Sequence, residues 1–491
     1  MAAATLVTGG CVVTMDLERR VLDDAAVLVV DGLIACVGSA AECADAAPSG
    51  VTVVDATDML VLPGLVDCHA HAGHALVKTL GGDVGSLWYD ACHQIYTVGS
   101  TEAFWELEAE LAALERLKCG TTCGVSYLGG GDSVNRTDDV RYGDGHCRAV
   151  ERVGTRSVVA LGVNRPKPNH EPWTYADYVD GERVDKEVTL ETQLATCAQL
   201  IDEWHEGADG RVRIAMTCPV HHASRPLPEG VSEADVEARC RKARALCGRK
   251  PGVTFTQDGH NAGSVATALA HGLLGDDAFL SHSTDLVEAD FAALQESKAT
   301  IVHNPSANAS ITGRCPVPEL LEAGVGVGLG SDGTAPNRSA DMWRHMQQCM
   351  HYHRRFFQDS DVLPPGKVLE MCTIDAAAVL GMADMIGSLE VGKQADLICI
   401  NLAAPHLAPL NMPVSRAIYF ANGADVDTVM VGGKILMQGR EVLSVNESEV
   451  LARASAEAEG AIERLGLEAL LQERPGFWGH SRFPPAPTPS L

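Results

Sequence analysis

The chain has 491 residues, 46% of them hydrophobic, and a formal net charge of −27. It is longer than one ordinary domain, and its acidic balance argues against nucleic acid or an anionic membrane as partner. No apolar run approaches the roughly 18 residues of a membrane span, the N-terminus lacks a signal-peptide pattern, and the 16 cysteines show no repeated CxxC spacing. The expectation is therefore a cytoplasmic protein with reduced thiols.

Residues 1–60 read as short strands: Val27 to Val30, a hairpin signal at Asp31-Gly32, a return over Leu33 to Val37, then Val51 to Val54. The apolar run Met59 to Val66 reads as one buried strand. A matching pattern returns late, with Ala395 to Ile400, Asp425 to Val431, the turn Gly432-Gly433 and Lys434 to Met437. The two ends of the chain are thus expected to build one β-domain.

Between them, strands alternate with helical stretches, which argues for a parallel sheet with helices outside. Thr101 caps a helix to Lys118 whose apolar stripe is Phe104, Leu107, Leu111, Leu114 and Leu117. Further strands are expected from Thr121, then over Ser157 to Val163, Val212 to Met216, Val253 to Thr256, Ala278 to Ser281, Thr300 to Val302 and Val325 to Leu329. The tail reads as a helix over Glu447 to Leu467, followed by a proline-rich end, FPPAPTPSL.

The chemistry starts at Pro63-Gly64-Leu65-Val66-Asp67-Cys68-His69-Ala70-His71. Side chains two apart on a strand point the same way, so His69 and His71 can aim both imidazoles at one metal ion. This stretch resembles the first-strand signature of the amidohydrolase superfamily, and the resemblance runs over almost the whole chain. It is closest to the branch of s-triazine hydrolases and nucleobase or adenosine-type deaminases. What it implies is a (β/α)8 TIM-type barrel inserted into a small β-sandwich. The expected divisions are 1–62 (sandwich, first part), 63–386 (barrel), 387–443 (sandwich, second part) and 444–491 (C-terminal helix and proline-rich tail).

The resemblance also implies roles. Asp332, in GLGSDG, matches the last-strand aspartate that bridges metal and water and moves protons. His282 matches a sixth-strand histidine that orients water or polarises substrate. The fourth strand, RIAMTCP, offers no lysine for a second metal, so a single divalent ion is expected, zinc first, with iron or manganese also suited.

The fifth strand departs from the pattern. Relatives carry a histidine there and a glutamate three residues on; this chain reads VTFTQDGHN. Alternation turns Val253 and Phe255 outward and Thr254, Thr256 and Asp258 inward. Asp258 is the first choice for the missing ligand, with Gln257 and His260 as alternatives. Two aspartates and two neutral histidines would cancel the ion's charge and acidify its water less than a three-histidine set.

His260, His303 and Asn304 are candidate substrate contacts, with capping of the following turn as the alternative for His303 and Asn304. So is Trp88, in a loop that also carries His74, Tyr89, His93 and Tyr96 and whose aromatics have packing as the alternative role. His303 and Asn304 belong to VHNPSAN, which resembles the family's His-x-Pro-x-x-Asn loop and whose last residue is Asn308. Asn337 and Asp341 resemble its NxxxD pattern and read as structural. Of the adjacent His221 and His222, at most one reaches the pocket.

The leading reading is a hydrolase in which metal-activated water attacks an sp2 carbon and releases an amine or ammonia from a nitrogen heterocycle. The alternative is hydrolysis of a urea, carbamate or amide C–N bond. A third reading, an inactive barrel kept for binding, rests on the missing histidine alone. A small-molecule substrate and a homo-oligomer complete the expectation.

Overall fold

The computed structural model describes residues 4–473, except 83, 131–133, 180, 223–224, 308–312 and 410, together with 477–478. The proline-rich tail and Asn308 lie outside the described residues.

Eight strands, Leu65–Asp67, Thr121–Tyr127, Arg156–Gly162, Val212–Thr217, Thr254–Gln257, Ala278–Ser281, Thr300–His303 and Val327–Leu329, are hydrogen-bonded in chain order. Each is parallel to the next. The backbone of Cys68 donates to Leu329 O at 2.9 Å, joining the eighth strand to the first. This is the (β/α)8 barrel, in which chemistry belongs to the C-terminal strand ends. Inside it, Val66, Val125, Val158, Ala215, Phe279 and Val302 pack against Ala376, Ala377 and Val379 of the helix Ile374–Val379. That helix closes the barrel beneath the histidines.

Both chain ends meet in one nine-stranded sheet. Its path runs from Glu441–Val442 through Lys434–Gln438, Val426–Val431, Leu397–Asn401, Met59–Pro63, Ala4–Val13 and Val21–Val30 to Leu33–Ser39, and Thr52–Asp55 pairs with Ala4–Val13. One apolar core gathers Val7, Val27, Ile34, Val61, Leu397, Cys399 and Met430 from these strands. At the hairpin signal, Asp31 and Gly32 have φ of 49° and 84°, the pair of positive values a type I′ turn requires.

The run Met59 to Val66 is two strands, not one. Met59–Pro63 pairs with the terminal sheet, whereas Leu65–Asp67 pairs with the barrel. The chain changes sheets at Gly64, where a Cβ would collide with the side chain of Thr122. Several elements have no named counterpart in the sequence reading, among them a hairpin and a long helix. A hairpin, Trp173–Val179 with Glu182–Val188, follows the third strand. The helix Met342–Phe357 is capped by Asp341, whose carboxylate accepts from Trp343 N at 3.1 Å and from Gly423 N at 3.2 Å.

The C-terminal helix Glu447–Leu465 lies on the helix Glu102–Lys118, tied by Lys118 to Glu447 at 2.7 Å. Arg464 also donates to Gly99 O at 2.8 Å. It thereby braces the π-helical turn Ile95–Gly99, a winding often found at functional sites. No helix among the described residues is long and apolar enough to cross a membrane.

Candidate metal centre and substrate cavity

The first strand ends at Asp67, and both histidines lie in the extended segment just beyond it. Asp67 holds that segment: it accepts from Arg116 Nη2 at 2.9 Å and from Ser331 N at 2.8 Å, tying the first strand end to the eighth. Asp332 N donates to His69 O at 2.8 Å, which sets the register of the two ends.

The side chains converge on one point. His69 Nε2 lies 3.4 Å from Asp258 Oδ1 and 3.3 Å from Asp332 Oδ1. His71 Nε2 lies 3.5 Å from Asp258 Oδ2 and 3.4 Å from Asp332 Oδ1. His282 Nε2 lies 3.1 Å and 3.6 Å from the same two carboxylates. Donors bonded at about 2.0–2.2 Å to one cation stand roughly 3–3.5 Å apart. The five groups therefore fit a shared divalent ion. His69 adds a second sign, because both its ring nitrogens are buried without a hydrogen-bond partner, a costly state.

Alternation works as expected on the fifth strand. Phe255 packs outward into the main core, while Thr256 points inward, its hydroxyl 2.6 Å from Tyr127 OH. Asp258 follows on the inner side, where Ser281 Oγ donates to it at 2.7 Å. Gln257 turns away and donates to Cys218 O and Pro219 O at 3.3 and 3.2 Å. His260 is buried, its Nδ1 lies 2.8 Å from Ser264 Oγ, and its backbone N donates to Ser281 O at 3.2 Å.

Backbone strain marks two of the five. His282 and Asp332 have φ of 64° and 61°, a left-handed conformation costing on the order of 1–3 kcal/mol outside glycine. Such strain persists where the surroundings over-determine it, as strand-end hydrogen bonds do here.

A cavity of about 310 Å³ opens over the centre, within the size range of small-molecule sites. Its walls include Trp88, Tyr89, His93 and Tyr96 on one side and His71, Asp258, His282, Asp332 and Arg338 on the other. Trp88 thus lines the cavity. His74 fills the wall between, its ring 4.8 Å from that of His71 and 5.3 Å from that of Trp88. His303 and Asn304 are fully buried and do not line the cavity. His221 and His222 take separate partners, Glu233 at 3.6 Å and Asn261 at 2.8 Å, and neither lines it.

Residues 233–436 match the amidohydrolase family model. The chain is 30% identical over 470 residues to a 5-methylthioadenosine/S-adenosylhomocysteine deaminase of Syntrophobacter fumaroxidans, covering 92% of this chain and 97% of the relative. The chain belongs to the amidohydrolase family. Among solved structures, an adenosine deaminase from Xanthomonas campestris with bound zinc superposes with a TM-score of 0.77 at 24% identity, covering 94% of this chain and 99% of that one. A triazine hydrolase variant gives 0.75 at 21% identity, covering 93% and 99%. These two likenesses concern the fold. As an amidohydrolase the protein is a metal-dependent hydrolase acting on carbon–nitrogen bonds.

The amidohydrolase's electrostatics favour ionised carboxylates. Burial opposes the charge on Asp258, yet the imidazoles of His69, His282 and His71 hold it below its ordinary range. Burial also opposes the charge on Asp332, and Arg338 is the largest influence holding that carboxyl well below its usual range. Arg338 Nη2 lies 3.2 Å from Asp332 Oδ2. The sequence reading passed over Arg338, which lies between Asn337 and Asp341, both read as structural. It also passed over Ser281 and Tyr127, whose ring stands 4.8 Å from that of His69. The one available signal was the strand-end position of Ser281 and Tyr127.

Proposed function

We propose that the amidohydrolase is a zinc aminohydrolase that releases ammonia from the 6-amino carbon of a purine nucleoside, as its deaminase-named relative suggests. The convergence of two carboxylates and three imidazoles within 3.6 Å at the mouth of the barrel carries this reading. Iron or manganese would suit the same donors. His69, His71, Asp258 and Asp332 would hold the ion. A divalent cation there lowers the pKa of water towards neutrality and supplies a Lewis acid.

The side chains do the rest. Asp332, whose Oδ1 faces the three imidazoles, would take the proton of the attacking water and return it to the departing amine. His282, with its Nε2 between both carboxylates, stabilises charge at the carbon under attack. Arg338 gives back a positive charge to a donor set whose two aspartates would otherwise cancel that of the ion. Trp88 and Tyr96 flank the flat heterocycle and exclude water from its faces. All sixteen thiols are free, which supports the cytoplasm as the enzyme's compartment. A homo-oligomer is the further expectation.

One observation favours a second reading. The fifth-strand turn offers Asn261 and His260, but no carboxyl group, at the place where relatives are expected to carry a ring-protonating glutamate. Ser264 Oγ donates to Asn261 O and accepts from His260 Nδ1 at 2.8 Å, which leaves His260 Nε2 a bare acceptor. Burial, then the neighbouring His222, depresses His260 to about 3, so it stays neutral and gives no proton at pH 7. A urea, carbamate or amide substrate needs no ring protonation. Assaying ammonia against alkylamine release from aminopurine nucleosides and from N-alkyl ureas or carbamates separates the two. Ammonia from the nucleosides supports deamination; amine release confined to the second group transfers the proposal to that class.

A further inference from the structure

We propose that His303, Cys349 and His353 form a second cation site, structural in role and suited to a zinc-class ion. His303 ends the seventh strand, and Cys349 and His353 stand four apart on the helix Met342–Phe357, hence on one face. One ligand atom from each lies within 4.8 Å of the others, and all three side chains are buried. Donors on one tetrahedral zinc stand roughly 3.3–3.8 Å apart, given bonds of about 2.0–2.3 Å. Side-chain rotation closes the difference.

Two independent features point to a ligand here. Neither ring nitrogen of His303 has a hydrogen-bond partner, though the residue is 0% exposed. A buried imidazole left unsatisfied costs on the order of 1–3 kcal/mol. His353 has the opposite problem: Nδ1 lies 2.9 Å from Cys349 O and Nε2 lies 3.0 Å from Cys315 O. A neutral imidazole carries one N–H, so at one of those contacts a lone pair faces a carbonyl oxygen. A cation engaging a free nitrogen of His303, and the His353 nitrogen whose lone pair faces a carbonyl, removes both penalties at once.

Binding of one divalent ion displaces the Cys349 thiol proton, so the pocket gains one net positive charge and releases one proton to solvent. Three side chains supply the donors, and solvent or a backbone carbonyl completes the four positions zinc prefers. The site would pin the seventh strand to the helix that Asp341 caps, just beyond the loop carrying Asp332 and Arg338. It shares no ligand with the catalytic centre and uses sulfur, which that centre lacks.

Cobalt(II) titration of the chelator-stripped full chain tests this. The expected result is two binding steps, one of them accompanied by a near-ultraviolet thiolate-to-cobalt charge-transfer band. Cys349→Ala should lose the band and one equivalent of metal, and keep the other equivalent with its hydrolytic activity. Should Cys349→Ala fail to fold, zinc-edge X-ray absorption of the loaded wild type serves instead, with a zinc–sulfur distance near 2.3 Å expected. Absence of any sulfur signal in the saturated wild type, or a band that persists in Cys349→Ala, overturns the assignment.

Discussion

Arg338 grips the outer oxygen of Asp332, Nη2 to Oδ2 at 3.2 Å, while Oδ1 of the same carboxylate faces the three imidazoles. One oxygen thus faces the imidazoles and the other is held by a guanidinium. Burial alone would push Asp332 upward, and Arg338 reverses that. Removing Arg338 makes Asp332 a stronger base that protonates at higher pH. Arg338→Ala should therefore move the acid limb of the kcat/KM profile to higher pH and reduce kcat about 10–100-fold, as loss of an outer partner commonly does. An unshifted acid limb would show that Arg338 acts on substrate instead.

Asp258 and Gln257 make opposite predictions from adjacent positions. Asp258 contacts three imidazoles, whereas Gln257 hydrogen-bonds to the fourth-strand end. Asp258→Ala should weaken metal affinity by more than the about 10–100-fold typical of an outer partner. Asp258→His should keep the metal, since an imidazole can replace a carboxylate as ligand. Gln257→Ala should leave affinity unchanged. Competition against a chromogenic chelator measures all three.

Glu108 lies behind the centre, where it lines a void of about 20 Å³ with His71, His74 and Arg116. Burial raises its carboxyl from 4.5 to about 7. Between those values the folded state binds one proton more than the unfolded state, so stability falls as pH rises through that window. Above pH 7 the penalty reaches about 3 kcal/mol. Glu108→Gln should therefore gain stability relative to wild type on going from pH 4.5 to pH 8, read as the difference in apparent Tm. A difference that does not change with pH would place the proton elsewhere.

Gly64→Ala should destabilise the fold by about 1–3 kcal/mol, the usual cost of forcing a group into a packed site. The added Cβ meets Thr122, so Thr122→Ala should recover part of the loss in the double variant. Thermal melts of the two single variants and the double variant decide it.

Much of the scaffold was legible because it rests on period and polarity. The barrel strands carry their apolar runs where the sequence shows them, and the alternation Phe255, Thr256, Gln257, Asp258 pointed Asp258 inward without a relative's histidine to follow. What escaped depends on contacts between distant segments. The split at Gly64 is set by Thr122, fifty-odd residues away. Arg338 sits in a loop whose path only the fold defines, so no spacing rule links it to Asp332. His303 shows the reverse error: its motif suggested a substrate contact, but the strand end turns its ring into the core, towards Cys349 and His353.

The most direct test of the central claim is ammonia release from 5′-methylthioadenosine and related 6-aminopurine nucleosides by the zinc-loaded protein, followed alongside the change in purine ultraviolet absorbance. The expected result is one ammonia per purine converted, with Asp332→Asn slower by about 10²–10⁴-fold. Metal-replete wild type that releases no ammonia from any 6-aminopurine nucleoside, or an Asp332→Asn variant that keeps the wild-type rate, would contradict it.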